Sequence, residues 1–235
     1  MVLLSEWVRQ SSRFHGACHN SVMVSTVEDL DTKQRILDAA STLFNEGGIG
    51  ALSVRAIARR AGMSTIGIYS HFEGKQGILD ALYVEGFEKV RRAMRPNRAA
   101  GNASLSEQAD REAAVLSAVD RYLDNAERFE GHYRLIFGES DDGFVPSEAS
   151  REVAATAFHE LTELIGSVLP QPSTPAQRRD AALEAWALLH GFVSLKQHTS
   201  AEIFADRGWK QRARRAVERW IAARRVDDRE GPSPS

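Results

Sequence analysis

The stretch from Ser53 to Phe72, SVRAIARRAGMSTIGIYSHF, constrains the fold of this chain more than any other. It reads as two short helices joined at Gly62. Ser53 and Ser64 each offer a side-chain oxygen to the unpaired amides of a helix start, and glycine accepts the left-handed conformation of a tight turn. Val54, Ile57, Ala58 and Ala61 recur on one face of the first helix, and the small Ala58 permits close approach of the second. Ile57 and Ile68 are expected to meet in a shared core. Helices this short bury little by themselves, so the pair must lean on its neighbours.

The outward face of the second helix is then expected to carry Ser64, Thr65, Ile66, Gly67, Tyr69, Ser70 and His71. Hydroxyls and backbone amides suit phosphate oxygens, and apolar groups suit the thymine methyl. A helix-turn-helix uses such a face by laying its second helix in the major groove while the first crosses the backbone. Lys75 follows one turn later, where an ammonium neutralises a phosphate, and Arg55 lies at the start of the preceding helix. The alternative is an amphipathic hairpin buried in a helical bundle, which the spacing alone also permits.

The flanking sequence is helical throughout. Asp31 and Gln34 have the form of a capping box, so order is expected to begin at Asp31. Ile36, Leu37, Ala40, Leu43 and Phe44 follow at helical spacing, and Gly47-Gly48 stops that helix. A longer helix is expected from Gly74 to Met94, ended by Arg95-Pro96-Asn97 because proline disfavours helix in the residue before it. Further helices are expected over about 106–126, 127–138, 147–169 and 175–199, with a last one from about 202 or 208 to 225. No strand alternation, hairpin chemistry or internal repeat is present. The expected fold is all-α. Residues 1–30 are expected to form a disordered extension, 31–75 a helix-turn-helix head, 76–226 a larger helical body for ligand binding and dimerisation, and 227–235 a disordered tail. Met23 offers an alternative start of translation to Met1.

Composition bears on partners. Net charge is −2 over 235 residues, so nucleic-acid binding requires a local patch rather than global charge. From Asp31 to Lys75 there are six Lys or Arg against four acids, which leaves the head modestly basic. The single cysteine, Cys18, excludes an intrachain disulfide. No apolar run reaches the roughly 20 residues of a membrane span, and the N-terminus lacks the apolar core of a signal peptide, so a cytoplasmic location is expected. His15, Cys18 and His19 lack a fourth ligand or a second half-site, so no metal is expected, and nothing implies a cofactor. His132, His159 and His190 are scattered, and the chain has no nucleophile elbow or phosphate loop, which argues against an enzyme.

The head resembles that of the TetR (tetracycline-repressor) family. That family's pattern, Ser/Thr-x-x-x-Ile-Ala-x-x-Ala-Gly-Val-Ser-x-Gly-x-x-Tyr-x-His-Phe followed by a lysine and a leucine, is matched here by eleven residues. They are Ser53, Ile57, Ala58, Ala61, Gly62, Ser64, Tyr69, His71, Phe72, Lys75 and Leu79, and the similarity covers about residues 32–80. Met63 replaces the usual valine, Ile66 stands where glycine or a small polar residue is common, and Gly67 where Thr, Ser or Ala is common. The resemblance implies phosphate contacts by Tyr69 and Lys75, then by Ser53 and Arg55. It implies base contacts by Thr65, Ile66, Gly67, Ser70 and His71, with a base preference particular to this chain.

Trp186-Ala-Leu-Leu-His190-Gly191 is similar to the Trp-x-x-x-His-Gly signature of one C-terminal subtype (WHG). The functional reading places Phe129, Tyr133, Phe137, Phe158, Trp186 and His190 around a small-molecule effector. Plain core packing, with His190 bonded to a carbonyl, stays open beside it. The resemblance implies a homodimer on a palindromic double-stranded operator, released by the effector. A ligand-independent regulator or an activator is the alternative. The last two long helices are expected to pair with their copies through Leu183, Trp186, Leu189, Val193, Val217, Trp220 and Ile221. The basic run Lys210 to Arg225 is read as a solvated helix face.

Overall fold

A computed structural model describes the backbone of residues 19–95, 108–137, 144–198 and 208–227, and the side chains of 29–95, 108–137, 144–198 and 208–224. Nine helices and one 3₁₀ turn make up these residues, and no strand occurs among them. The order is α1 (His19–Gly47), a 3₁₀ turn (Ile49–Ala51), α2 (Val54–Ala61), α3 (Thr65–His71) and α4 (Gly74–Met94). Then come α5 (Gln108–Arg128), α6 (Glu130–Ile136), α7 (Glu148–Gly166), α8 (Pro175–His198) and α9 (Trp209–Asp227). The fold is all-α, with a helix-turn-helix head at the N-terminal end and a larger helical body behind it.

Among the described residues the first helix spans His19–Gly47, so it does not start at Asp31. No glycine or proline interrupts His19 to Leu30, so nothing in the sequence stops a helix there. Asp31 is a mid-helix residue, and Gln34 donates forward to Asp38 Oδ1 at 2.9 Å instead of completing a capping box. Residues 1–18, with His15 and Cys18, and the Gly231–Ser235 tail lie outside the described residues. The C-terminal end of α1 follows expectation, with Gly48 at φ 65°.

The head cannot close a core alone. Ile36, Ala40 and Phe44 of α1 meet Leu52, Ile57, Ala58 and Ile68, and the cluster runs on into Ile78 and Leu82 of α4. Each fully buried Ile or Leu contributes about 1.5–3 kcal/mol relative to exposure. α4 packs on α1 at one end and on α5, α6 and α7 beyond it, so one helix belongs to both head and body.

The short α6 is wedged between them. A methyl group on Gly131 would stand 2.8 Å from Phe44 Cδ1 and 2.9 Å from Asn45 Oδ1, and one on Gly86 of α4 would stand 2.7 Å from Ile136 Cγ2. Glycine at these two positions lets α6 touch α1 on one side and α4 on the other. His132, 1% exposed, lies edge-on to Phe44 (ring centroids 6.2 Å apart). Its Nε2 donates to Glu85 Oε2 at 3.3 Å, and Lys89 also pairs with that carboxylate. Burial pushes the Glu85 carboxyl up, but hydrogen bonds and charge from His132 and Lys89 outweigh this and hold it at about 2.

The body's last two helices face inward more than their sequence implied. Leu189 and Val193 of α8 and Val217 and Ile221 of α9 are buried within the protomer. Trp220 donates its indole N–H to Glu184 at 3.1 Å and carries the Arg224 guanidinium 3.8 Å above its ring. A helix with core on one face must turn another outward, and on α8 that outer stripe is Leu183 (41% exposed), Ala187, Gly191 and Leu195 (53% exposed). Arg214 and Lys210 of the basic run form ion pairs with Asp120 and Asp124 of α5, so part of that run fastens α9 to the bundle.

Two stability tests follow from the wedge. Gly131→Ala overpacks the Phe44 contact and is expected to cost about 1–3 kcal/mol. For a chain this long, each kcal/mol lowers the melting temperature by about 2–4 °C. Gly67→Ala, whose methyl meets nothing nearer than 3.6 Å, serves as the tolerated control. Because the Glu85 carboxyl is held below its ordinary 4.5, its contribution is complete above pH 4.5 and fades as pH falls towards about 2. Urea denaturation at stepped pH should therefore show the wild type losing its advantage over Glu85→Gln across that interval.

Candidate nucleic-acid interface and buried cavity

Local chemistry shapes the head's outer surface. Ser53 Oγ accepts from Ala56 N at 3.1 Å and starts α2, and Ser64 Oγ accepts from Gly67 N at 3.2 Å and starts α3. Between them the chain reverses through Gly62 at φ 68° and ψ 38°. Met63 N donates to Ala58 O at 2.9 Å and Gly62 N to Arg59 O at 3.4 Å, the paired closure of a Schellman turn. Arg35 of α1 donates from Nη2 to Ala61 O at 3.0 Å, which places a guanidinium on the negative end of α2. Arg60 grips the Glu46 carboxylate with both terminal nitrogens, at 2.8 and 3.1 Å. The angle between α2 and α3 is thereby fixed from several sides.

This frame holds Ile68 at zero exposure and turns Ile66 (79% exposed) and Tyr69 (62% exposed) to solvent. Ser53, Arg55, Ser64, Thr65 and Ser70 are exposed as well, and Gly67 sits half-buried between Ile66 and Ile68, where a methyl would make only ordinary contact with Met63 and Ser64. Ser70 donates its hydroxyl to Gly67 O at 2.8 Å, leaving lone pairs outward. The Tyr69 ring rests over Gly74, where a methyl would come within 3.1 Å of Cε1 and where φ is 72°. Lys75, in the first turn of α4, is half-buried.

His71 departs from expectation. It lies three residues beyond Ile68 and shares its inward face, and its Nδ1 stands 2.8 Å from Asp29 Oδ1 of α1, without good hydrogen-bond alignment. Sequence reasoning passed over Arg59, which is exposed one helical turn beyond Arg55; the i, i+4 spacing was the available signal.

Inside the body a cavity of about 240 Å³ lies among α4, α5, α7 and α8, with Ile136 and Phe137 at one edge and Val217 of α9 at another. Phe137, Phe158 and Trp186 line it together, with Trp186 5.4 Å from Phe137 and 5.9 Å from Phe158 between ring centroids. Tyr133 and His190 stand behind this wall. Tyr122, a wall residue, donates to the Tyr133 hydroxyl at 3.1 Å, which meets His190 Nδ1 at 2.6 Å. His190 Nδ1 is thus bonded to a phenol. Burial pushes the Tyr122 phenol up to about 12, against the opposing hydrogen bonds of Tyr133 and Trp186, so it keeps its proton. Phe129 lies elsewhere, against His132, with Lys89 Nζ 4.8 Å and Arg128 5.4 Å from its ring. Its cation neighbours keep it at the surface junction, which helical spacing alone does not reveal. The aliphatic wall, including Val115, Val119, Ala154 and Ala157, carried no sequence signal of its own.

Among the described residues, no group of three or more His, Cys, Asp or Glu is placed to hold a metal ion, and no helix is long and apolar enough to cross a membrane.

Known proteins share both parts. The sequence pattern described as "Bacterial regulatory proteins, tetR family" matches residues 36–82, and that described as "Tetracyclin repressor-like, C-terminal domain" matches residues 92–221. The tetracycline repressor protein class D of Escherichia coli is 40% identical over 53 residues, 23% of this chain and 24% of that protein. Curated relatives of this kind are matched over about a quarter to a third of their own length. A protein of unknown function from Rhodococcus sp. RHA1 shares the fold with a TM-score of 0.65 at 19% identity, over 91% of this chain and 98% of that one. The TetR family transcriptional regulator PfmR from Thermus thermophilus does so with a TM-score of 0.55 at 18% identity, over 80% of this chain and 96% of that one. With a motif-bearing head and a body that both match, the chain belongs to the TetR family of bacterial regulatory proteins.

Proposed function

We propose that this protein is a homodimeric, DNA-binding transcriptional regulator, a repressor that leaves a palindromic operator when a small molecule enters its body. The observation that carries the reading is the outward face of α3, where Ile66 and Tyr69 stand exposed on a helix fixed by two serine caps and a Schellman turn. Ile66 is an apolar side chain held far into solvent on that face, and the thymine methyl in the major groove is a fitting partner for it. Thr65, Ile66, Gly67 and Ser70 are assigned to bases, and Tyr69, Lys75, Ser53 and Arg55 to phosphates, with Arg59 added beside Arg55. His71 is assigned to seating α3 on α1.

Dimerisation is assigned to the stripe Leu183, Ala187, Gly191 and Leu195, four residues apart on α8. Its middle is small, with nothing within 4 Å of a methyl on Gly191, so a second copy's helix can approach closely. Trp186, His190 and Gly191 then serve three ends at once: cavity wall, polar backing and dimer seam. On that basis we place the body in the WHG subtype. The cavity is assigned to the effector, and α6 to coupling, since Ile136 and Phe137 touch the cavity while Gly131 and His132 touch Phe44 of the head. Release follows only if the effector binds the low-affinity arrangement better than the bound one.

Footprinting on the DNA upstream of the protein's own gene tests the interface. Wild type is expected to protect a palindrome, and Tyr69→Ala to weaken binding at least about tenfold. Arg55→Ala is expected to reduce the slope of log affinity against log salt by about 1 per protomer contact. Protection that is insensitive to Tyr69→Ala and to salt would contradict the assignment. For the seam, Ala187→Arg on the exposed face of α8 should sediment as a monomer with unchanged helix content and lose the footprint.

A further inference from the structure

The cavity's wall is chemically one-sided. Six of its residues carry aromatic rings (Tyr83, Phe87, Tyr122, Phe137, Phe158 and Trp186), the rest are aliphatic or thioether side chains, and no acid, base or amide is among them. Its only polar side-chain atoms are the hydroxyls of Tyr83 and Tyr122 and the indole N–H of Trp186, and the Tyr122 hydroxyl is already bonded to Tyr133. Building on the reading of this cavity as the effector site, we propose that its ligand is an uncharged, largely apolar molecule of about two fused rings with at most one hydroxyl or carbonyl.

Three constraints converge on that class. A dry cavity of roughly 150 Å³ holds one benzene. The 240 Å³ here takes a molecule somewhat larger, of bicyclic size. Charge is excluded because an ion would leave water for a wall with no counter-charge, and burial of an unpaired ion is strongly unfavourable. Aromatic faces attract cations, but at about 0.5–2 kcal/mol per contact they do not replace the missing carboxylate. Polarity is limited because the wall's only polar side-chain atoms are the hydroxyls of Tyr83 and Tyr122 and the indole N–H of Trp186, and Tyr122 is already hydrogen-bonded to Tyr133 and Trp186.

Calorimetric titration of the full chain with one scaffold in three charge states tests this: 1-naphthol, 1-naphthoate and 1-naphthylmethylammonium at neutral pH. The neutral probe is expected to bind with a negative heat-capacity change, the mark of apolar burial. Both ions are expected to bind at least about 100-fold more weakly. Ala157→Phe, which fills the cavity floor, should abolish the neutral signal, and Ala154→Leu gives a second filling variant should the first fail to fold. Equal or tighter binding of either ion would overturn the proposal while leaving an effector site in place; absence of binding by all three probes would overturn it outright. If 1-naphthol binds in the cavity but leaves the operator complex intact, the ligand class stands and the effector reading falls.

Discussion

Phe44 seated on Gly131 is the contact on which the arrangement of this molecule depends. A three-helix head of this size has too little interior to be stable by itself, so its first helix must borrow surface from the body. It does so through a ring that lies where any side chain on residue 131 would be. Gly86 against Ile136 repeats the device on the opposite side of α6. Packed interiors have few intermediate settings, so a short helix gripped at both ends is displaced as a unit or not at all. The partly buried group of His132, Glu85 and Lys89 adds a polar lock at the same place, with the buried imidazole held against the Glu85 carboxylate.

Within the head, the features nearest in sequence were the most legible. Ser53, Gly62 and Ser64 act over three or four residues, and their caps and turn form as their residue types imply. Inward and outward faces of α3 followed from Ile68, yet His71 shares that inward face and was misplaced because a motif position overrode the helical spacing. Asp31 and Gln34 look like a cap, but a cap needs the helix to begin there, and nothing between His19 and Leu30 stops α1. Arg35 reaching across to the end of α2 is a tertiary contact over 26 residues, with no short-range trace in the sequence.

The body was legible as helices and much less so as a site. Trp186, Phe137 and Phe158 do meet around one cavity, but Phe129 is drawn aside by Lys89 and Arg128, and Tyr133 and His190 stand one layer back. Periodicity says that a residue faces something; it does not say whether that something is core, cavity or a second copy. Leu189, Val193, Val217 and Ile221 answer as core, while Leu183, Ala187, Gly191 and Leu195 are left facing out. The Trp-x-x-x-His-Gly run thus places adjacent residues in different roles, with the indole at the cavity, the imidazole on a phenol and the glycine at the surface.

The central claim is that two copies of this head read DNA together. Selection from a pool of random-sequence DNA by the full chain tests it directly, because the pool favours no operator in advance. The account predicts enrichment of a palindrome whose half-site centres lie about one helical turn, or a multiple of it, apart. Enrichment of a single unrepeated half-site would contradict the paired reading, and no enrichment at all would contradict the helix-turn-helix interface itself.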